Sequence, residues 1–431
     1  MRRKIFTLLI TVVLLSATAC SGNGENTMIE STNREVVLKN DNTNEERNLL
    51  LTEDIMYFKQ ELPKRHKNLF STITKEEFND LTDQLIDKID QLSNKQVFVE
   101  LNKIAASVGD AHTTINIWDG YNYPLQFWIF DGNVYVVNAD TSLEKMMFSQ
   151  ILKIDGVDID TVIEQLKTLI SHENESWVLA MLPGYLQKPV YMYGLGIVQN
   201  ENEAVFTVQK DGEVEEFTVS TLENGKSANF VNKNTEDILI GIYDKYYDYE
   251  YLPDYKALCF EYNVCADMDN PKFADFNREM FDTIEKNDVE KIIIDLRNNS
   301  GGNSEILNPF TKRLKSYIAE NANVKVYILV GRNTFSSGMF AIYRVKESAP
   351  KAISVGESTG GALDCYGEVK TINLPNSQIP ISYSTKYFEF SKNFSYKNDG
   401  VGTFLPDISV QPTIEDYKSG TDVVLEYVLA N

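Results

Sequence analysis

The chain has 431 residues, 43% of them hydrophobic and 11% aromatic, which allows two or three domains with ordinary cores and excludes a disordered protein. Its formal net charge of −22 argues against a nucleic-acid partner, because no basic excess exists to neutralise phosphates. That charge reads instead as a solvated acidic surface.

The first residues read as a targeting segment. Arg2, Arg3 and Lys4 form a charged start, and the apolar stretch Ile5 to Leu15 is too short to cross a bilayer. Ala17-Thr18-Ala19-Cys20 resembles a bacterial lipoprotein cleavage box, with alanine where leucine is usual. The resemblance implies a signal peptide over 1–20, lipidation of Cys20, and a mature protein lipid-anchored at the extracytoplasmic face of the cell membrane. An ordinary secretory signal with an incidental cysteine is the alternative. Residues 21–49 are largely polar and suit a flexible tether.

A helical region is expected over 50–115. Thr74-Lys75-Glu76-Glu77 is a capping box opening a helix with Phe78, Leu81, Leu85, Ile89 and Leu92 on one face. Ser93-Asn94-Lys95-Gln96 is a second box, followed by Val97, Phe98, Leu101, Ile104 and Val108, with Gly109 as the stop. From 116 to 225 the signals change to hairpins, with Asp131-Gly132 and Asp211-Gly212 each set between β-formers. Between them, Ile151 to Ile159 resembles the strand–turn–strand stretch of PDZ domains, and Thr161 to Leu169 would be the PDZ helix. Pro183 to Ile197 reads as an insertion.

Over 226–431 strand and helix patterns alternate, which predicts an α/β layer with a largely parallel sheet. Cys259 and Cys265 fall on one expected strand, about 20 Å apart at the usual rise per residue and beyond disulfide reach unless that strand ends early.

The chemistry concentrates at two strand ends. The run Val326 to Val330 stops at Gly331, and Arg332-Asn333-Thr334-Phe335-Ser336-Ser337-Gly338 leads into a helical pattern. Strand, tight turn, hydroxyl and helix start expose a nucleophile beside backbone N–H groups. Upstream, Ile292 to Leu296 runs into Arg297-Asn298-Asn299-Ser300-Gly301-Gly302. These segments, with Val355–Gly361, resemble the signature stretches of the S41 serine peptidases, which include carboxy-terminal processing proteases and tricorn proteases.

The resemblance implies a ClpP/crotonase-like S41 catalytic domain joined to the helical region and the PDZ-like β-rich domain. It makes Ser336 the nucleophile, with Ser337 as the rival hydroxyl. Ser337 N–H and the N–H of Gly301 or Gly302 would form the oxyanion hole. The processing-protease branch uses a lysine base after Gly356-Glu357, and none stands there. In the tricorn-like branch a histidine serves, and His112 matches its place; a position at a helix C-terminus would favour its cationic form.

Of the 3 histidines, His172 lies in a polar loop and His66 in a basic turn, both read as solvated. Asp399 is the candidate acid near the final Val401–Asp407 stretch, with Asp110, Glu357 and Glu368 as rivals. No metal, phosphate-loop or dinucleotide motif is present, so neither metal nor cofactor is expected. The expected function is peptide-bond hydrolysis on peptide or protein substrates. An inactive peptide- or cell-wall-binding lipoprotein of the same fold, or an esterase, are the alternatives.

Overall fold

The computed structural model describes residues 43–431 except 118, 224, 234–236 and 240. The expected signal peptide, Cys20 and most of the tether lie outside the described residues. Both capping boxes close as expected. Glu77 N–H donates to Thr74 Oγ1 at 3.1 Å while Thr74 N–H donates to Glu77 Oε2 at 2.9 Å, opening the helix Lys75–Asp87. Ser93 and Gln96 do the same for Asn94–Ala106. Each cap is worth about 1 kcal/mol, because it satisfies amides that the first turn leaves without partners.

An additional helix, Asn44–Arg65, begins inside the span expected to be tether. Its stripe Leu51, Ile55, Phe58 and Leu62 is fully buried. Only its start, 44–49, falls in the tether span, and the four buried residues lie in the region expected to be helical.

The two hairpins form at Asp131-Gly132, with φ of 48° and 78°, and at Asp211-Gly212, with φ of 53° and 88°. Successive positive φ values match the right-handed twist of the flanking strands. Leu125–Phe130, Asn133–Ala139, Gln150–Ile154, Glu203–Lys210 and Glu213–Ser220 form an antiparallel sheet in that spatial order, with Val157–Asp158 paired to Gln150–Ile154. The helix Ile159–Lys167 follows, two residues earlier than expected.

Pro183 to Ile197 is no insertion. It belongs to the helices Glu175–Leu186 and Pro189–Gly194, whose Leu186, Val190, Tyr191 and Met192 are buried. The helical region and this sheet share one continuous core, so they behave as a single packing unit.

The C-terminal half carries a six-stranded sheet in the order Ile408–Ser409, Ile353–Gly356, Lys325–Val330, Lys291–Asp295, Ala257–Tyr262, Tyr247–Leu252. All pairings are parallel except at the Tyr247–Leu252 edge. Side chains alternate between the faces. Ile292 and Ile294 pack on the side of the helices Phe273–Lys286, Asn308–Glu320 and Ser337–Ser348, while Ile293, Tyr327 and Leu329 meet Val424 and Val428 of the final helix Val423–Ala430. The strand Ala257–Tyr262 ends before Cys265, and none of Cys259, Cys265 and Cys365 is in a disulfide.

Arg297 ties the sheet to the last helix. Its guanidinium holds Asp295 at 2.6 Å and Asp422, the cap of Val423–Ala430, at 2.7 Å. A long hairpin, Asp364–Asn373 with Pro380–Glu389, has no counterpart in the expected elements. Thr114–Ile115 pairs with its second strand, which brings the segment before Thr114 against the C-terminal ends of the parallel strands. Ligands of open α/β sheets gather at those ends. Among the described residues, no helix is long and apolar enough to cross a membrane.

Candidate active site

Ser336 stands where the strand Lys325–Val330 has ended and the helix Ser337–Ser348 begins, with φ of 50° and ψ of −123°. Positive φ is rare for a side-chain-bearing residue and costs of order 1–3 kcal/mol, so the surroundings must impose it. They do so from several directions. Thr334, fully buried, donates its hydroxyl to Leu296 O at 2.8 Å and accepts Gly331 N–H at 3.1 Å. Phe335 N–H donates to Asn299 O at 2.9 Å, and Gly361 N–H to Thr334 O at 3.0 Å.

The glycine pair allows the close approach. A Cβ on Gly301 would fall 2.7 Å from Ser336 Cβ, and one on Gly302 would fall 2.5 Å from Cys265 O. Both residues also have strongly positive φ. Asn299 holds this turn: its Nδ2 donates to Tyr262 O at 2.7 Å, and its Oδ1 accepts Gly301 N–H at 3.0 Å. The Gly301 amide therefore points into its own turn. Gly302 and Ser337 line the same cleft as Ser336 and His112.

His112 Nε2 lies 3.3 Å from Ser336 Oγ, across 224 residues of sequence. The Ser337 hydroxyl instead donates to Gly302 O at 2.5 Å. Of the adjacent hydroxyls, Ser336 is thus the one facing the imidazole. The ring packs on Phe335 with centroids 4.8 Å apart, and Phe335 stacks on Trp177 at 4.0 Å. Burial holds the His112 pKa below the ordinary value, with the charge of Asp110 pulling the other way. The helix before it ends at Ala106, and burial, not a helix terminus, sets its protonation. A lowered pKa favours the uncharged ring that a general base needs.

Asp110 anchors the segment. Its Oδ1 accepts His112 N–H at 2.9 Å, and its Oδ2 accepts Thr113 Oγ1 at 2.6 Å and His66 Nε2 at 3.0 Å. Because His66 Nδ1 accepts Asn68 N–H at 3.1 Å, the proton of neutral His66 must sit on Nε2. His66 is therefore a buried partner of Asp110 and not a solvated turn residue. Burial alone would raise the Asp110 pKa, but His66, His112 and Thr113 together hold it below the usual carboxylate range.

The other acids separate clearly. Asp399 is exposed, and His112 Nδ1 is buried with no hydrogen-bond partner, so Asp399 does not orient the ring. The place of Asp399 near the Val401–Asp407 stretch carries no information about which way its loop turns. Glu357 is committed to Arg332, whose guanidinium also donates to Ile129 O at 3.1 Å and covers the Trp128 ring at 4.8 Å. Glu368 lines the cleft but pairs with Lys386.

Glu173 has the opposite character from the polar surface loop expected around His172. Ser171 Oγ donates to Thr113 O at 2.6 Å, laying this segment along 111–113. Both Glu173 carboxyl oxygens are buried, and neither closes a hydrogen bond. Burial, reinforced by the charge of Asp110, pushes its pKa up to about 8, with the Ala111 N–H pulling it back. A raised carboxyl pKa stabilises the fold below the unfolded value of about 4.3, and that contribution is lost as pH rises through the folded value. Glu173→Gln is therefore expected to melt above the parent at pH 9 and level with it at pH 5. Melting differences independent of pH would show that the carboxyl is solvated.

The cleft itself is narrow and largely aromatic. Phe340, Phe388 and Phe390 line one side, and Cys365 to Val369 of the strand Asp364–Asn373 line another. That strand is the outer edge of its three-stranded sheet. Among the described residues, no cluster of three or more His, Cys, Asp or Glu could hold a metal ion.

No protein-family model and no curated protein matches this chain. Solved structures do. The structure of mature CPAF complexed with lactacystin superimposes with a TM-score of 0.63 at 14% identity, covering 89% of this chain and 98% of that one. Mature CPAF alone gives 0.62 at 14% identity, over 89% and 96%. The chain therefore shares the mixed α/β fold of CPAF.

Proposed function

We propose that this chain is a serine-type peptidase in which Ser336 is the nucleophile and His112 the base. The observation that carries it is the 3.3 Å approach of His112 Nε2 to the Oγ of a strained serine at a helix start. As Ser336 Oγ attacks the substrate carbonyl, its proton passes to Nε2 and an oxyanion forms between the N–H groups of Ser337 and Gly302. His112 then returns the proton to the leaving amine. Water, deprotonated by the same nitrogen, hydrolyses the acyl-enzyme. The edge strand Asp364–Asn373 beside the cleft offers backbone groups to an extended chain, which favours peptides over small esters.

A fluorophosphonate probe is expected to label the protein, to fail on Ser336→Ala and to persist on Ser337→Ala. No labelling of the intact protein would favour an inactive peptide-binding lipoprotein, and hydrolysis of simple esters with no cut in a peptide library would favour an esterase.

The lipid anchor is a separate proposal, motivated by Ala17-Thr18-Ala19-Cys20. Metabolic palmitate labelling is expected in the full chain and absent in Cys20→Ala; equal labelling of both would exclude that cysteine.

A further inference from the structure

His112 can act as a base at Nε2 only if Nδ1 carries the other proton. In the structure that Nδ1 is buried and has no acceptor. Asp110 cannot serve it well. Its Oδ1 is 3.8 Å from Nδ1 and is spent on the His112 backbone N–H, while Oδ2 is shared by His66 and Thr113. An imidazolium formed there would bury a positive charge with one unmet donor, which costs far more than a paired one.

A second unmet group lies near Asp110 and the Ala111 amide. Glu173 has two buried carboxyl oxygens without hydrogen bonds. Its segment is pinned along 111–113 by Ser171, and it is near enough to Asp110 and the Ala111 amide for each to act on its protonation. Asn174 fixes the other flank by donating to Gly360 O at 2.9 Å and Gly402 O at 2.6 Å. A buried donor and a buried acceptor, each without a hydrogen bond, are therefore both set close to Asp110.

Resting on the peptidase reading above, we propose that Glu173 is the positioning acid of this site, accepting the His112 Nδ1–H directly or through one water and offsetting the imidazolium charge during attack. No bond to Glu173 is made or broken in the transfer from Ser336 Oγ to Nε2; its ionised form supplies charge and direction.

The groups that act on Glu173 are Asp110 and the Ala111 N–H before the strand Thr114–Ile115, and Tyr387 on the strand Pro380–Glu389. His66 reaches the corner through Asp110. Among them Glu173 is the carboxyl raised towards about 8, so the rate should climb as pH passes through that region.

The test is the fluorophosphonate reaction rate from pH 6 to 9.5 in the full chain, Glu173→Gln, Glu173→Asp and Asp399→Asn. Glu173→Gln is expected to lose at least about 100-fold at pH 8.5, within the range that misaligning a catalytic histidine produces, and to lose the alkaline rise. Glu173→Asp should recover part of the rate, and Asp399→Asn should match the parent. A loss under about tenfold, or a larger loss with the alkaline rise intact, overturns the proposal by the same comparison. If Glu173→Gln does not fold, Glu173→Asp decides: a displaced rise supports the role, and an unmoved one overturns it. Failure of the unaltered chain to react sinks the peptidase reading and this inference together, whereas reaction that survives Glu173→Gln sinks this inference alone.

Discussion

Ser336→Ala should lower peptide hydrolysis by about 10⁶-fold, or about 8 kcal/mol of transition-state stabilisation, because removing the nucleophile of an acyl-transfer site removes the whole covalent route. The structure makes the prediction specific to one of two neighbouring hydroxyls. Ser336 Oγ faces His112 Nε2, whereas Ser337 Oγ donates to Gly302 O. Ser337→Ala gives up that one hydrogen bond and keeps the backbone N–H that would bind the oxyanion. Its expected loss is about tenfold, the scale of a single neutral hydrogen bond. Kinetics on a cleaved peptide check both variants. Activity in Ser336→Ala above about one per cent of the parent would mean that another group attacks the carbonyl.

Asp110→Ala should be the most damaging change away from the nucleophile, affecting stability and rate together. It strands three donors: the His112 backbone N–H, Thr113 Oγ1 and His66 Nε2–H, all in a corner with almost no solvent access. Each buried donor left unmet costs about 1–3 kcal/mol, and partial relaxation should bring the sum to about 3–6 kcal/mol. The sign with pH is fixed by the lowered pKa of Asp110. A lowered carboxyl pKa stabilises the fold above the unfolded value of about 3.9, and that contribution is lost as pH falls through the folded value. Denaturant melts should therefore show a large gap between parent and variant at pH 7 that narrows below pH 4. A gap of the same size at pH 3 would mean that lost packing, not lost charge, explains the damage.

Much of the fold was legible because its signals are local. A capping box closes within one turn, so Thr74 with Glu77 and Ser93 with Gln96 announce their helices from four residues each. Aspartate–glycine hairpins and the alternating faces of Ile292, Ile293 and Ile294 are equally short-range. The strand–turn–serine–helix pattern exposed Ser336 for the same reason. What failed in the reading was mostly a matter of burial. The Pro183–Ile197 stretch reads as an insertion because it is rich in Tyr and Gly, yet its apolar residues complete the shared core. His66 and Glu173 looked solvated because their neighbours in sequence are charged.

The amino-acid sequence by itself announced the capped helices, the Asp-Gly hairpins, the parallel strands and the serine at a helix start, since backbone preferences and side-chain periodicity act over a few residues. Only the tertiary structure decided which acids and histidines meet. His66, Asp110, Glu173 and Ser336 lie on separate segments, and the protonation of Asp110, His112 and Glu173 follows from how far each is withdrawn from water and which groups surround it. Those quantities belong to the packed molecule, because no stretch of chain carries its own dielectric environment.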